Sequence, residues 1–387
     1  MKQVYFDSAA TTQIRDEVID AMTSVMKNNY GNASSTHSFG RSSKVLIEKT
    51  RKTIARLLNV SASEIIFTSG GTEADNLVLQ CSIRDLDVKQ IITSKIEHHA
   101  VLHTIDQLEI EFGIKVSYVN LDNDGHIDYN HLETLLKESS EKTLVSLMHV
   151  NNEIGNILDI KRVGNLCKEH NALFHSDTVQ SVGHYEMDLQ EIHIDFMAVA
   201  AHKFHGPKGV GFAFIRKNSG LKPLIFGGEQ ERGFRAGTES NHNIVGLEAS
   251  IKLAYQNLDK ERKHITDLKS YFIKRLQENF PEVAFNGSSA NLEKSTYTLI
   301  NARLPIPPEK AIILLFQLDL KGIACSKGSA CQSGSSKGSH VLTQILNEED
   351  LKKPSLRFSF SHYNTKEEVD YVVQVLKEFV EAKSVFQ

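Results

Sequence analysis

A lysine at the mouth of a buried strand is poorly placed for solubility and well placed for chemistry. The apolar run 196–200 reads as a buried strand. It leads into His202-Lys203, a turn rich in glycine and proline (Gly206-Pro207-Lys208-Gly209), and a second apolar run, 210–215. Partial burial lowers a lysine's pKa and frees its amine for Schiff-base formation. Upstream, another short apolar strand ends in Asp177. In a parallel sheet, strands joined by crossovers end on one edge, where ligands bind, so the two groups can meet there. A Schiff-base lysine and an acid facing a pyridinium nitrogen are what pyridoxal phosphate requires. Taken singly, the same residues read as a surface lysine in a hairpin and an acid capping a turn.

Other polar groups gather just past predicted strands. Thr68-Ser69-Gly70-Gly71-Thr72-Glu73 joins a strand to a helix. Its glycines allow close backbone approach, and the free N–H groups of a helix start suit a phosphate. The alternative is a glycine turn with Thr72 as helix cap. Glu97-His98-His99 opens another helix, where a histidine stacks on a planar cofactor, acts as a catalytic acid/base, or starts the helix as an ordinary polar residue. The run from His149 through Asn152 to Gly155 follows a further strand. Arg232, Arg235 and Thr238 lie in a glycine-rich loop able to hold an anion or simply to be solvated. Near the C-terminal end, 325–339 is small and polar and carries Cys331, which reads as an accessible thiol in a mobile loop. Cys325 follows an apolar strand and reads as a buried structural thiol. Arg357, on a late strand, is a candidate carboxylate clamp or an arginine facing solvent.

The elements that must position these groups alternate. Helices are predicted over about 15–27 and 39–58, the first capped by Thr11 or Thr12. Strand–helix alternation from about residue 64 to 180 predicts an open α/β sheet. After a helix over 243–258, the charged stretch 259–263 reads as a hinge into a second domain. That domain has helices near 265–279 and 308–318, strands near 296–300 and 322–324, and a closing helix over 365–382. The expected division is 15–258 as the large domain and 1–14 with 259–387 as the small one.

At 387 residues, with 44 basic against 48 acidic groups and a net charge of −4, the chain has no basic surface to suggest nucleic acid as a direct partner. Its start has no signal-peptide core, and no apolar run is long enough to span a membrane. The four cysteines have neither zinc-site nor disulfide-scaffold spacing, so no metal is expected and a reducing cytoplasm is the expected setting.

Together these motifs are similar to those of the cysteine desulfurases of the NifS/IscS type, class V aminotransferase-like enzymes of fold-type I. The resemblance runs nearly end to end and in the family's order. It begins at Asp7-Ser8-Ala9-Ala10-Thr11-Thr12 and the loop holding Asn32. It continues through the stretches around Gly71, His98, Asn152, Asp177, Lys203 and Thr238, and ends at Gly328-Ser329-Ala330-Cys331. It implies a large domain with a mostly parallel seven-stranded sheet between helices and a smaller C-terminal α+β domain. It implies pyridoxal 5′-phosphate, bound through Lys203, which also moves protons at the substrate. Asp177 would face the ring nitrogen, Gln180 the phenolic oxygen and His98 the ring face. Gly71, Thr72 and His202 would bind the phosphate, joined by Thr238 from a partner subunit, hence a homodimer. Asn152 and Arg357, with Asn32 nearby, would grip the carboxylate of L-cysteine. Cys331 would take the sulfur as a persulfide, leaving alanine, for delivery to an iron–sulfur scaffold or a tRNA-thiolation enzyme.

The chain departs from the family pattern at Ala200, where a phosphate-binding serine is usual, and at Ala33, usually proline. It is richer in Gly and Ser over 332–339, and its tail, 378–387, lacks the extension that some relatives use to dock a scaffold. A selenocysteine lyase or another aminotransferase-like enzyme is the alternative, and Cys331 discriminates between them. A sulfur-trafficking protein without catalysis would have no use for Lys203, Asp177 and His98. A plain phosphate-binding module would leave Lys203 and Cys331 unexplained.

Overall fold

A computed structural model describes residues 2–327 and 338–381. The central sheet has seven strands: β2 (Ile65–Thr68), β3 (Gln90–Thr93), β4 (Lys115–Tyr118), β5 (Thr143–Ser146), β6 (Leu173–Asp177), β7 (Phe196–Ala200) and β8 (Gly211–Ile215). Their order is β2-β8-β7-β6-β5-β3-β4, parallel except for β8, which runs antiparallel to both neighbours. Crossover helices cover both faces, so the inner strands carry apolar residues on either side. In β7, Met197 and Val199 join one core while Phe196 and Ala198 join the other. Successive side chains of a strand point to opposite faces, and here both faces are dry.

Helices α1 (Asp16–Asn28), α2 (Ser38–Leu57), α3 (Gly71–Leu86), α4 (His99–Phe112), α5 (Tyr129–Glu138), α6 (Ile160–Glu169) and α7 (Asn241–Gln256) belong to this part of the chain. The Asp128 and Asp159 side chains cap α5 and α6 by accepting their free N–H groups. The α1 start differs from expectation: its capping position is Arg15, which makes no side-chain cap bond. Thr12 instead donates to the His202 carbonyl and accepts from the His205 N–H, tying the N-terminal turn to the lysine turn.

A third core lies under a three-stranded antiparallel sheet of β9 (Ala284–Phe285), β10 (Leu299–Arg303) and β12 (Ser355–Ser359). The short strand β1 (Val4–Tyr5) pairs in parallel with β11 (Ile323–Ala324). This places Phe6 in the C-terminal core, 5.6 Å from the Phe272 ring and 5.3 Å from that of Phe360. Around this sheet are α8 (Leu258–Asn279), α9 (Pro308–Leu320), α10 (Leu342–Ile345), α11 (Glu348–Lys352) and α12 (Lys366–Glu381). The charged stretch 259–263, expected as a hinge, forms the first turns of α8. Its Glu261 pairs with Arg15 at 2.8 Å, and acidic residues suit a helix start. The strand expected near 296–300 runs over 299–303 instead, with Thr296 in the preceding loop bonded to the Gly155 carbonyl.

Candidate active site

The C-terminal ends of β6 and β7 and the N-terminal end of α3 converge on a cavity of about 320 Å³. Its lining includes Gly71, Thr72, His98, Asn152, Asp177, Gln180, His202, Lys203 and Arg357. Nine residues singled out from separate stretches of the sequence therefore meet in one place. Asn32 and Thr238 are exposed and do not line it; the Asn32 side chain accepts from the Ser34 N–H instead. Cys331 lies outside the described residues. Cys325 is only partly buried, and its surroundings push the thiol pKa up.

Lys203 sits on a single 3₁₀ turn, 201–203, directly after β7. Its ammonium donates to the Ala9 and Ala10 carbonyls at 2.6 and 2.9 Å. The Gln180 side chain donates to the same Ala9 carbonyl at 2.9 Å. The small side chains of Ala9 and Ala10 let the N-terminal turn reach the lysine. Asp177, at the end of β6, is buried and accepts from the Val179 N–H at 2.9 Å. Burial raises its pKa, while that N–H and the Lys203 charge oppose the rise.

His98 starts a helix, as one of its sequence readings had it, and also lies on the cavity wall. It caps α4, accepting from the Ala100 N–H through Nδ1 at 3.1 Å, and it lines the cavity. Burial first, then the Lys203 charge, brings its pKa down to about 4, so the ring is neutral at pH 7. His202 is held near 4 for the same two reasons. Neutral rings beside a cation suit stacking and hydrogen bonding to an anion's oxygens better than they suit charge pairing.

The α3 start is capped by Gly70, not Thr72. Gly70 has φ +154, a conformation that L side chains rarely adopt, and a Cβ at Gly71 would meet Val179 Cγ2 at 2.6 Å. Gly70 thus has a backbone reason to be there, and Gly71 a steric one against the Val179 side chain. The helix start they make, its first N–H groups beside His202 and the cavity, fits a phosphate. A buried acid, a lysine and a neutral imidazole complete a donor set that fits a pyridoxal phosphate.

Arg357 is 1 % exposed on β12. Its Nη1 donates to the Asn152 carbonyl and its Nη2 to Asp7 Oδ1, each at 2.9 Å. Its Nε is buried and has no hydrogen-bond partner among the described residues. By contrast, Arg235 is paired with Glu73 at 2.8 Å and Arg232 with Glu48 at 3.0 Å, so both glycine-loop arginines already have carboxylates.

Asp75 is an ionisable residue of the cavity lining to which sequence reasoning assigned no role. It is fully buried, 3.3 Å from His175 Nε2, whose other ring nitrogen meets Ser146 Oγ at 2.9 Å. Burial and the neighbouring Asp177 push the Asp75 pKa up, and burial pushes His175 down to about 3. The available signal was helical spacing: Asp75 lies four residues after Gly71 and so shares its face of α3.

Comparison with known proteins agrees over almost the whole chain. Residues 4–372 match the family Aminotransferase class-V. A cysteine desulfurase IscS of Dictyoglomus turgidum is 41 % identical, covering 98 % of this chain and 95 % of the relative. A solved NifS-like protein superposes with a TM-score of 0.89 at 35 % identity, covering 97 % of this chain and 99 % of that one. A second solved structure, SspA in complex with cysteine, gives a TM-score of 0.80 at 30 % identity, covering 94 % of this chain and 100 % of that one. The chain belongs to the aminotransferase class-V family and, within it, stands with the cysteine desulfurases.

Proposed function

We propose that the cavity binds pyridoxal 5′-phosphate and that the chain is a cysteine desulfurase, converting L-cysteine to L-alanine and passing the sulfur to Cys331. The observation that carries this reading is the meeting of Lys203, Asp177, His98, Arg357 and the α3 start around one cavity. Bound there, the cofactor supplies an electron sink for the substrate. Lys203 attaches it and moves protons at the substrate carbons. Asp177 places a negative charge at the ring nitrogen, and Gln180 faces the phenolic oxygen. His98 covers the ring, while Gly71, Thr72 and His202 hold the phosphate. Arg357 and Asn152 orient the substrate carboxylate, with Asn32 nearby. The Cys331 thiolate attacks the substrate sulfur: an S–S bond forms as the carbon–sulfur bond breaks, and the carbon takes a proton to become the methyl group of alanine.

Thr238 is exposed in a single chain, and its role at a phosphate requires a second copy, so the working form is a homodimer. A domain division at about residue 258, with 1–14 joining the C-terminal part, would put Arg357 on the small domain and Lys203 on the large one. No helix among the described residues is long and apolar enough to cross a membrane. Together with the reduced cysteines, this favours a cytoplasmic enzyme that hands sulfur to an iron–sulfur scaffold or a tRNA-thiolation enzyme.

The test compares the wild type with Cys331→Ala, each given L-cysteine and dithiothreitol, scoring sulfide and alanine. Equal amounts of both from the wild type, and neither from a variant that keeps its cofactor absorbance, is the expected result. Sulfide release by the variant at the wild-type rate would make the chain a lyase or transaminase relative instead.

A further inference from the structure

Three segments distant in sequence meet beside Arg357. Asp7 follows β1, Ser326 follows β11, and Arg357 lies in the middle of β12. Asp7 Oδ1 accepts from Arg357 Nη2 at 2.9 Å and from the Ser326 hydroxyl at 2.8 Å. The backbones of Ser326 and Arg357 are bridged in both directions, at 3.2 and 2.8 Å. The Asp7 backbone is itself held against β12, with the Ser8 N–H donating to the Ser359 carbonyl at 3.3 Å. The carboxylate is therefore fixed from two sides before it reaches the guanidinium.

A guanidinium is a rigid planar fork, so two contacts suffice to set its plane. Arg357 has two, Asp7 on Nη2 and the Asn152 carbonyl on Nη1. Its buried Nε lacks a partner among the described residues, and the side chain lines the cavity. A buried cation is also costly without a counter-charge. Asp7 supplies that charge from outside the cavity lining, leaving the cavity side of the fork for an incoming anion.

We propose that Asp7 is a positioning residue that sets the plane of the Arg357 guanidinium for a substrate carboxylate, with Ser326 holding Asp7 in place. This rests on the reading of Arg357 as the carboxylate clamp. Asp7 touches neither substrate nor cofactor; it acts through Arg357. Its effect is confined to ligands that carry a carboxylate.

The experiment titrates cofactor-loaded enzyme with L-alanine and, separately, with ethylamine, following the change in cofactor absorbance at equilibrium. The two ligands share an amine and differ in the carboxylate. Asp7→Ala is expected to weaken L-alanine by about tenfold or more, the scale of a hydrogen bond to a charged group, and to leave ethylamine within about twofold. Asp7→Asn keeps an acceptor oxygen in place and is expected to recover most of the loss. Ser326→Ala is expected to fall between Asp7→Ala and the wild type. Equal weakening of both ligands, or of neither, in the Asp7 variants would overturn the proposal. Arg357→Lys separates the two levels. If it leaves the preference for L-alanine unchanged, the clamp reading fails and the Asp7 role with it. If it abolishes the preference while Asp7→Ala does not, the Asp7 role alone fails.

Discussion

Two buried arginines in this molecule have opposite fates. Arg51, 2 % exposed, spends its guanidinium within the fold. Its Nε donates to Glu48 at 3.0 Å, its Nη1 to Glu231 at 2.7 Å and to the Ile65 carbonyl at 2.6 Å, and its Nη2 to Glu231 at 2.9 Å. Phe67 lies 4.7 Å beneath it, and the Phe67 N–H donates to Glu231 at 2.8 Å. Glu231 itself adopts φ 47, a left-handed backbone that this pairing helps to hold. Arg357 is as deeply buried, yet it has one carboxylate contact and one carbonyl contact, and its Nε is left over. Both show the same feature, a buried arginine near an acid. The difference is saturation. A guanidinium whose donors are nearly all used holds the fold together; one left short beside a cavity is available to a ligand.

That comparison can be broken or sharpened in measurable ways. The largest effect is expected at the saturated site. Arg51→Met leaves Glu231 buried and uncompensated and should cost about 3–5 kcal/mol of stability, read from the denaturant midpoint. Removing both partners together, Arg51→Met with Glu231→Leu, should cost less than the single change, because no lone charge then remains. A single variant no worse than the double one would sink the saturation argument.

Next is the unsaturated site. Arg357→Met should lower kcat/KM for L-cysteine by about 10- to 150-fold, the worth of charged hydrogen bonds to a carboxylate. Its unfolding midpoint should move far less than that of Arg51→Met, because Asp7 keeps Ser326 and some solvent access. If the two variants lost similar stability, the distinction between holding and binding arginines would collapse.

Glu97 offers a test by pH of what a saturated buried group does. It is buried and saturated, accepting from Ser94 Oγ at 2.6 Å and from the Met148 N–H at 2.8 Å. Burial is the largest influence on it and raises its pKa from 4.5 to about 8. The folded chain thus holds a proton that the unfolded chain releases between those values. Stability from this group is therefore present at low pH and is lost as pH rises from about 4.5 to 8, by up to about 1.4 kcal/mol per pH unit. Glu97→Gln, which can keep both contacts without the titration, should flatten that part of the stability–pH curve. An unchanged slope would mean that Glu97 is not its source.

The smallest effect is expected at Ala200, which lines the cavity and offers no hydroxyl. Ala200→Ser should tighten pyridoxal phosphate binding by about fivefold, roughly one hydrogen bond of 1 kcal/mol, in reconstitution of the apo-enzyme. No change would indicate that the phosphate site is already fully supplied.

How much of this was readable beforehand depended on whether the signal was local. The α/β alternation was legible because strands and helices write their periods into consecutive residues. The lysine turn and the Gly70 helix start were legible because their backbones, with Gly209 and Gly70 at positive φ, need those residue types. His98 was legible as a helix start and as a candidate beside a planar cofactor; that one side chain serves as cap and cavity wall together was not. The helical state of the charged stretch 259–263 was not legible, because a solvated helix face and a linker have the same composition.

By itself, the chain's order of residues determined the elements, the motifs and the residue types for a lysine-based chemistry. What only the tertiary structure decided was partnership. Arg51 sits among Lys49, Thr50 and Lys52, Arg357 between Leu356 and Phe358, and Arg235 in a loop rich enough in glycine to suggest anion binding. Which of them meets a carboxylate of its own chain, and which faces a cavity, depends on contacts such as Arg51 with Glu231 and Arg357 with Asp7, 180 and 350 residues apart. Periodicity and capping act over a few residues and cannot encode such pairs. They are set when whole elements pack, by the requirement that a buried charge find a partner.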